Sequence, residues 1–163
     1  MSKPGIQRIT PFLWFDDRAE AAAEQYVSVF PNSKILLVNR YNEAQAKAAG
    51  RQPGSAMNVA FALDGLGFAG INGGPHFTFT EAVSLVVNCD TQDEIDHYWD
   101  RLGEGGDPAA QRCGWLKDRY GLSWQIVPRV LFELLADPAR APKTGAALMA
   151  MTKLDIEKLK RGA

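Results

Sequence analysis

The chain has 163 residues, 46% of them hydrophobic, which suits one domain or two tightly fused half-domains. Its 18 basic and 19 acidic residues leave a formal net charge of −1 without a dense Lys/Arg run, so it lacks the basic excess of a nucleic-acid binder. No apolar stretch approaches the roughly 20 residues that span a bilayer, Met1 to Arg8 shows no signal peptide, and two cysteines, Cys89 and Cys113, make neither a disulfide framework nor a zinc site, so reduced thiols in a cytoplasmic protein are expected.

Ile6 to Phe15 reads as a strand, with Ile9, Pro11, Leu13 and Phe15 on one face and Thr10, Phe12 and Trp14 on the other. A helix follows: Asp17 is placed to cap it, Glu20 stands three residues on as in a capping box, and the alanine-rich run reaches Phe30 before Pro31-Asn32 stops it. Ile35 to Tyr41 is a second strand. Asn42 to Gly54 is polar and small, with Gly50 and Pro53, and reads as a mobile loop that covers a pocket. Ala56 to Leu63 alternates, Met57, Val59, Phe61 and Leu63 against Ala56, Asn58, Ala60 and Ala62. Asp64-Gly65 signals a hairpin, and Leu66 to Asn72 returns as the next strand.

Gly73-Gly74-Pro75 breaks the chain, and the order begins again. Val83 to Cys89 is a strand. Thr91 caps a helix with Glu94 three residues on, and Ile95, Tyr98, Trp99 and Leu102 form its apolar face. Gly103 to Asp107 is a glycine-rich loop. Ala109 to Lys117 carries one or two strands, Asp118 to Gly121 turns, and Leu122 to Val127 is the last strand, ended by Pro128. Short helices follow at Val130 to Ala136, Gly145 to Met151 and Leu154 to Lys160. The repeated grammar predicts an α+β fold of two tandem βαβββ modules, about 6–73 and 81–128, with C-terminal helices over 129–163 and the helices on one side of each sheet.

The segments Pro11-Phe12-Leu13-Trp14-Phe15-Asp16, Phe30-Pro31-Asn32-Ser33, Leu63-Asp64-Gly65, Asn72-Gly73-Gly74-Pro75, Trp99-Asp100, Cys113-Gly114-Trp115-Leu116-Lys117-Asp118 and Ser123-Trp124-Gln125-Ile126, in this order and spacing, resemble the PhnB-like family. That family carries a demethylubiquinone 3-methyltransferase label and belongs to the glyoxalase/vicinal-oxygen-chelate superfamily. The resemblance spans about Ile6 to Pro128. It implies curled mixed sheets with a pocket inside each, and a homodimer. Metal-dependent members place His or Glu ligands on the first and last strands of each module. The corresponding positions here are Thr10, Asn72, Ser84 and Gln125, and none is His, Glu, Asp or Cys. No metal and no cofactor are therefore expected.

The expected pocket lining is Thr10, Phe12, Trp14, Asn58, Asn72, His76, Ser84 and Gln125, with no catalytic residue singled out. His76 is either an exposed loop residue or an acid/base at the pocket mouth, and His97 reads as a surface residue. Trp124, opposite in parity to Gln125, reads as core. Cys113 is a structural thiol or a nucleophile beside Arg112 and Lys117. Gly103 to Gly106 lacks the strand-loop-helix order and Lys-Ser/Thr of a phosphate loop. The leading reading is a small-molecule pocket working without a metal. The alternatives are a metal-dependent lyase or dioxygenase, a noncatalytic dimeric binding module, and a methyltransferase. The last is disfavoured because no glycine-rich strand-to-helix loop with a following acidic residue appears.

Overall fold

A computed structural model describes residues 7–162. The chain forms two compact units, one ending at Thr78 and the other beginning at Phe79. The first unit runs β1 (Phe12–Phe15), α1 (Ala19–Val29), β2 (Lys34–Arg40), α2 (Glu43–Ala49), β3 (Ala56–Leu63) and β4 (Leu66–Asn72). Its sheet order is β1-β4-β3-β2, with β1 parallel to β4 and the other pairs antiparallel. Asp64 and Gly65 both take positive φ, 45° and 80°, as the tight turn joining β3 to β4 requires.

The second unit runs β5 (Ser84–Cys89), α3 (Gln92–Gly103), a 3-10 turn (Pro108–Ala110), β6 (Trp115–Lys117), β7 (Ser123–Pro128), α4 (Val130–Ala136), α5 (Ala141–Met149) and α6 (Ile156–Gly162). Its sheet order is β5-β7-β6, again with a parallel outer pair and an antiparallel one. This repeats the arrangement of β1, β4 and β3. Among the described residues the second module is one strand shorter than expected. Gly105 at positive φ and Pro108 at the head of the 3-10 turn interrupt the ladder, leaving only the bridge Arg112–Trp115 outside the named strands.

Alternation assigns the faces. On β1, Leu13 and Phe15 are buried and Phe12 is exposed. With Val59, Phe61 and Phe68 they pack under the buried face of α1, Ala19, Ala22, Ala23, Tyr26 and Val29. Phe61 stacks on Phe68 at 5.4 Å between ring centroids. In the second unit Trp124, Ile126 and Leu116 lie with Ile95, Trp99 and Leu102 of α3 in the core, so Trp124 is core as expected. Val127 joins Leu131, Leu134, Leu154 and Leu159 of the C-terminal helices in a further cluster.

Three local expectations change. The first strand begins only at Phe12, so Thr10 stands outside it, exposed; Ile6 lies outside the described residues. The segment Asn42 to Gly54 carries α2, because Asn42 and Gln45 form a reciprocal capping box around helix-forming residues and Gly50 closes the helix in the left-handed conformation. Asp17 and Glu20 do not cap α1: its N-cap is Arg18, without a side-chain cap bond of its own. Glu20 instead binds Arg40 through both oxygens, at 2.6 and 3.1 Å, and this hydrogen bond holds the Arg40 pKa above its ordinary value. In α3 the Thr91–Glu94 capping box forms as expected. No described helix is long and apolar enough to cross a membrane.

Candidate functional site

The expected pocket residues separate into two groups, one in each unit. In the first, β1 and β4 pair so that Trp14 lies beside Ile71, and β3 sets Asn58 on the other side of Ile71. These side chains share the sheet face turned away from α1. Trp14 is half-buried. Its Nε1 donates to Gly74 O at 2.9 Å, and its ring meets Phe77 edge-on at 4.9 Å. Asn58 Oδ1 accepts from Asn39 Nδ2 at 2.8 Å on this face. Phe12 is 62% exposed. Thr10 donates weakly to Gln7 O at 3.4 Å.

Asn72 borders two cavities of the first unit. It pairs in register with Phe15 and so points to the helix side. There its Oδ1 accepts from Ala19 N at 2.7 Å and its Nδ2 donates to Ala56 O at 3.0 Å. The buried amide is thus the missing cap of α1, supplied from 53 residues away. The strand position on the opposite face belongs to Ile71.

His76 lies on the exposed chain after Gly73-Gly74. It borders a cavity of about 340 Å³ together with Tyr41, Arg51, Ile71 and the two glycines. Gly73 N donates to Phe15 O at 2.9 Å and Gly74 N to Asp16 O at 3.0 Å, so this wall is pinned to the end of β1.

In the second unit, Ser84, Ser123, Gln125, Trp115 and Lys117 share the face turned away from α3. Ser84 is the register partner of Ser123, Lys117 faces Ser123 from β6, and Trp115 pairs with Gln125. Gln125 Nε2 donates to Ser84 Oγ at 2.8 Å. Ser123 is 1% exposed, and among the described residues its Oγ has no hydrogen-bond partner. Lys117 ion-pairs with Glu81, and the hydrogen bond from Lys117 holds the exposed Glu81 carboxyl below the usual carboxylate range. Sequence reasoning named Ser84 and Gln125, which the structure brings into contact, but not Ser123 beside them. Its signal was available: it shares the alternation parity of Gln125.

This donor set does not fit a divalent transition metal. Asn72 uses both amide atoms on backbone, Gln125 turns its amide nitrogen to Ser84, and Thr10 stands off the sheet. Hydroxyls and amides offer neutral oxygens where such ions favour imidazole, carboxylate or thiolate. Among the described residues no three His, Cys, Asp or Glu side chains gather into a metal-sized group. The Asp118 carboxyl is committed elsewhere: its oxygens accept from Tyr120 N, Leu122 N and Trp124 Nε1. Cys89 is buried, and desolvation pushes its thiol up to about 12, which keeps it unreactive at neutral pH. Cys113 lies beside the thioether of Met149, 3.9 Å from Sδ.

Residues 7–127 match the family model described as 3-demethylubiquinone-9 3-methyltransferase. Among solved structures, the PhnB protein of Bacillus cereus is 36% identical, with 75% of this chain and 99% of that one covered and a TM-score of 0.65. Protein PA1353 of Pseudomonas aeruginosa is 16% identical, with 75% and 97% covered and a TM-score of 0.54. The fosfomycin resistance protein FosX of Mesorhizobium loti is 15% identical, with 83% and 100% covered and a TM-score of 0.53. The last two share the fold. No curated protein sequence matches the chain.

Proposed function

The chain belongs to the 3-demethylubiquinone-9 3-methyltransferase family, the PhnB-like branch of the glyoxalase/vicinal-oxygen-chelate superfamily, and from that premise we propose that it binds a small polar organic molecule, without a metal ion, on the face of its second sheet turned away from α3. The observation that carries this reading is the Ser123 hydroxyl, buried and without a partner among the described residues, beside the Ser84–Gln125 hydrogen bond. A buried hydroxyl left unpaired costs about 1–3 kcal/mol, a cost that a ligand carbonyl or hydroxyl removes. Gln125 keeps the shape of a carboxylate without its charge, and Trp115 supplies a flat apolar wall beside it. The methyltransferase reading lacks support here, since neither small sheet has the doubly wound, glycine-loop architecture of a nucleotide site.

Ser123→Ala separates binding from folding. Removing an unpaired buried hydroxyl leaves stability unchanged or raises it by about 1 kcal/mol. A thermal-shift screen of small oxo- and hydroxy-compounds, run in EDTA, should find a ligand that raises the wild-type Tm by roughly 5–10 °C at about 100 times its Kd. The same ligand should shift Ser123→Ala and Gln125→Ala much less. Stabilisation that requires added manganese, nickel or zinc, or that both variants retain in full, overturns the reading.

The same reading includes a homodimer. Phe12 on one edge strand of the first sheet and Leu36 and Leu37 on the other are all at least half exposed, at 62%, 52% and 54%, apolar surface that association buries. Light scattering at micromolar concentration should give twice the 17.9 kDa chain mass; the mass of a single chain contradicts the dimer.

A further inference from the structure

We propose that the cavity of the first unit is an oxyanion site, which takes a small organic acid through its carboxylate or phosphoryl group. Three segments distant in sequence meet around it: Tyr41 after β2, Arg51 after α2, and Gly73 to His76 after β4.

The decisive group is Arg51. Its Nη2 donates to the carbonyl of Asp16 at 3.2 Å. A guanidinium has five N–H donors, and no carboxylate pairs with this one among the described residues. Arg40, Arg119 and Arg129 each have an acidic partner. Arg51 is half-buried, and its bond to the Asp16 carbonyl fixes the fork at the cavity wall. The C-terminal end of α2, at Ala49, also borders the cavity. Its partial negative charge favours the cation but cannot cancel it, being about half an elementary charge at most. The cavity therefore keeps a net positive wall.

Gly74 explains why the cation and His76 converge. At φ +90° it has no side chain, and a Cβ there would stand 3.2 Å from Arg51 Nη2 and 3.7 Å from His76 Nε2. The wedge between guanidinium and imidazole is thus open only because residue 74 is glycine. A planar carboxylate or a phosphoryl group matches the fork of arginine with two parallel hydrogen bonds. The Tyr41 and His76 rings and the Ile71 side chain supply walls for the apolar body of the ligand. This site shares no residue with the Ser84–Gln125 face, so each fails or stands by its own residues.

Calorimetry with benzoate, phenyl phosphate and neutral benzamide tests the assignment. At least one of the two anions should bind, with affinity falling about tenfold in Arg51→Gln and falling with added salt, as a charge-assisted pair requires. Preference between benzoate and phenyl phosphate identifies the anionic group. His76 ring protons should shift on titration, and His76→Ala should weaken the same anion. Arg51→Gln should melt near the wild-type temperature and keep any ligand effect that depends on Gln125. Equal binding of benzamide and the anions overturns the proposal, as does undiminished anion binding in a folded Arg51→Gln, or no binding of either anion at millimolar concentration.

Discussion

Replacing Asp118 by Ala lowers the unfolding free energy by about 3–5 kcal/mol. Asp118 is 2% exposed. Its Oδ1 accepts from Tyr120 N at 2.8 Å and Leu122 N at 3.0 Å, and its Oδ2 accepts from the Trp124 indole at 2.8 Å. One carboxyl group therefore closes the turn between β6 and β7 and ties that turn to the core tryptophan. Alanine strands the buried Leu122 N–H and indole N–H, each of which carries its full desolvation cost, and the part-buried Tyr120 N–H at a smaller one. Asn at 118 keeps one oxygen but sets an amide N–H₂ against a donor, so it should be destabilising to a smaller extent. Urea unfolding followed by tryptophan fluorescence measures both variants. An Asp118→Ala loss below about 1 kcal/mol, the level of an ordinary surface substitution, contradicts the account. Because Ser123 and Gln125 follow directly on this turn, the variant should also loosen their register against Ser84 and Trp115.

Gly73→Ala costs about 2–4 kcal/mol, for a steric reason. A Cβ at residue 73 would fall 2.1 Å from Trp14 Cζ2 and 2.3 Å from its Cε2. The indole has little room to yield, since its Nε1 is bonded to Gly74 O and Phe77 meets it edge-on. The backbone has little room either, since Gly73 N and Gly74 N hold the carbonyls of Phe15 and Asp16. Every direction of relief breaks a hydrogen bond. A Trp14→Leu background removes the ring, so the double variant should be less destabilised than the sum of the two single ones. A double-mutant cycle reads this coupling, and strict additivity would show that the ring is not what the new methyl meets.

Some of the fold was legible residue by residue. The alternation of Met57, Val59, Phe61 and Leu63 defines β3 with its observed bounds, and Asp64-Gly65 turns it into β4 with both residues at positive φ. Thr91 and Glu94 start α3 as read, because a capping box needs only residues three apart. Trp124 was placed in the core, and Gln125 across the strand from it, by parity alone. The same kind of local signal misled at α1. Asp17 and Glu20 have capping spacing, yet Glu20 pairs with Arg40, on β2, and Asn72 reaches in from the end of β4 to bond Ala19 N.

The sequence by itself determined the α+β class, the opening strand and helix of each module, the two strand-joining turns and the placement of Ser84 and Gln125 on one face. Those features follow from alternation, helix spacing and turn chemistry, which act between residues a few positions apart. Tertiary structure alone decided which polar groups are spent on holding the fold. The amide of Asn72 was taken by a helix end and the carboxyl of Asp118 by a turn and an indole, while the Ser123 hydroxyl stayed unpaired and Arg51 kept donors to spare. The reason is that a buried donor or acceptor takes whichever partner the closed sheet brings within about 3 Å, and that partner often stands far away in the chain.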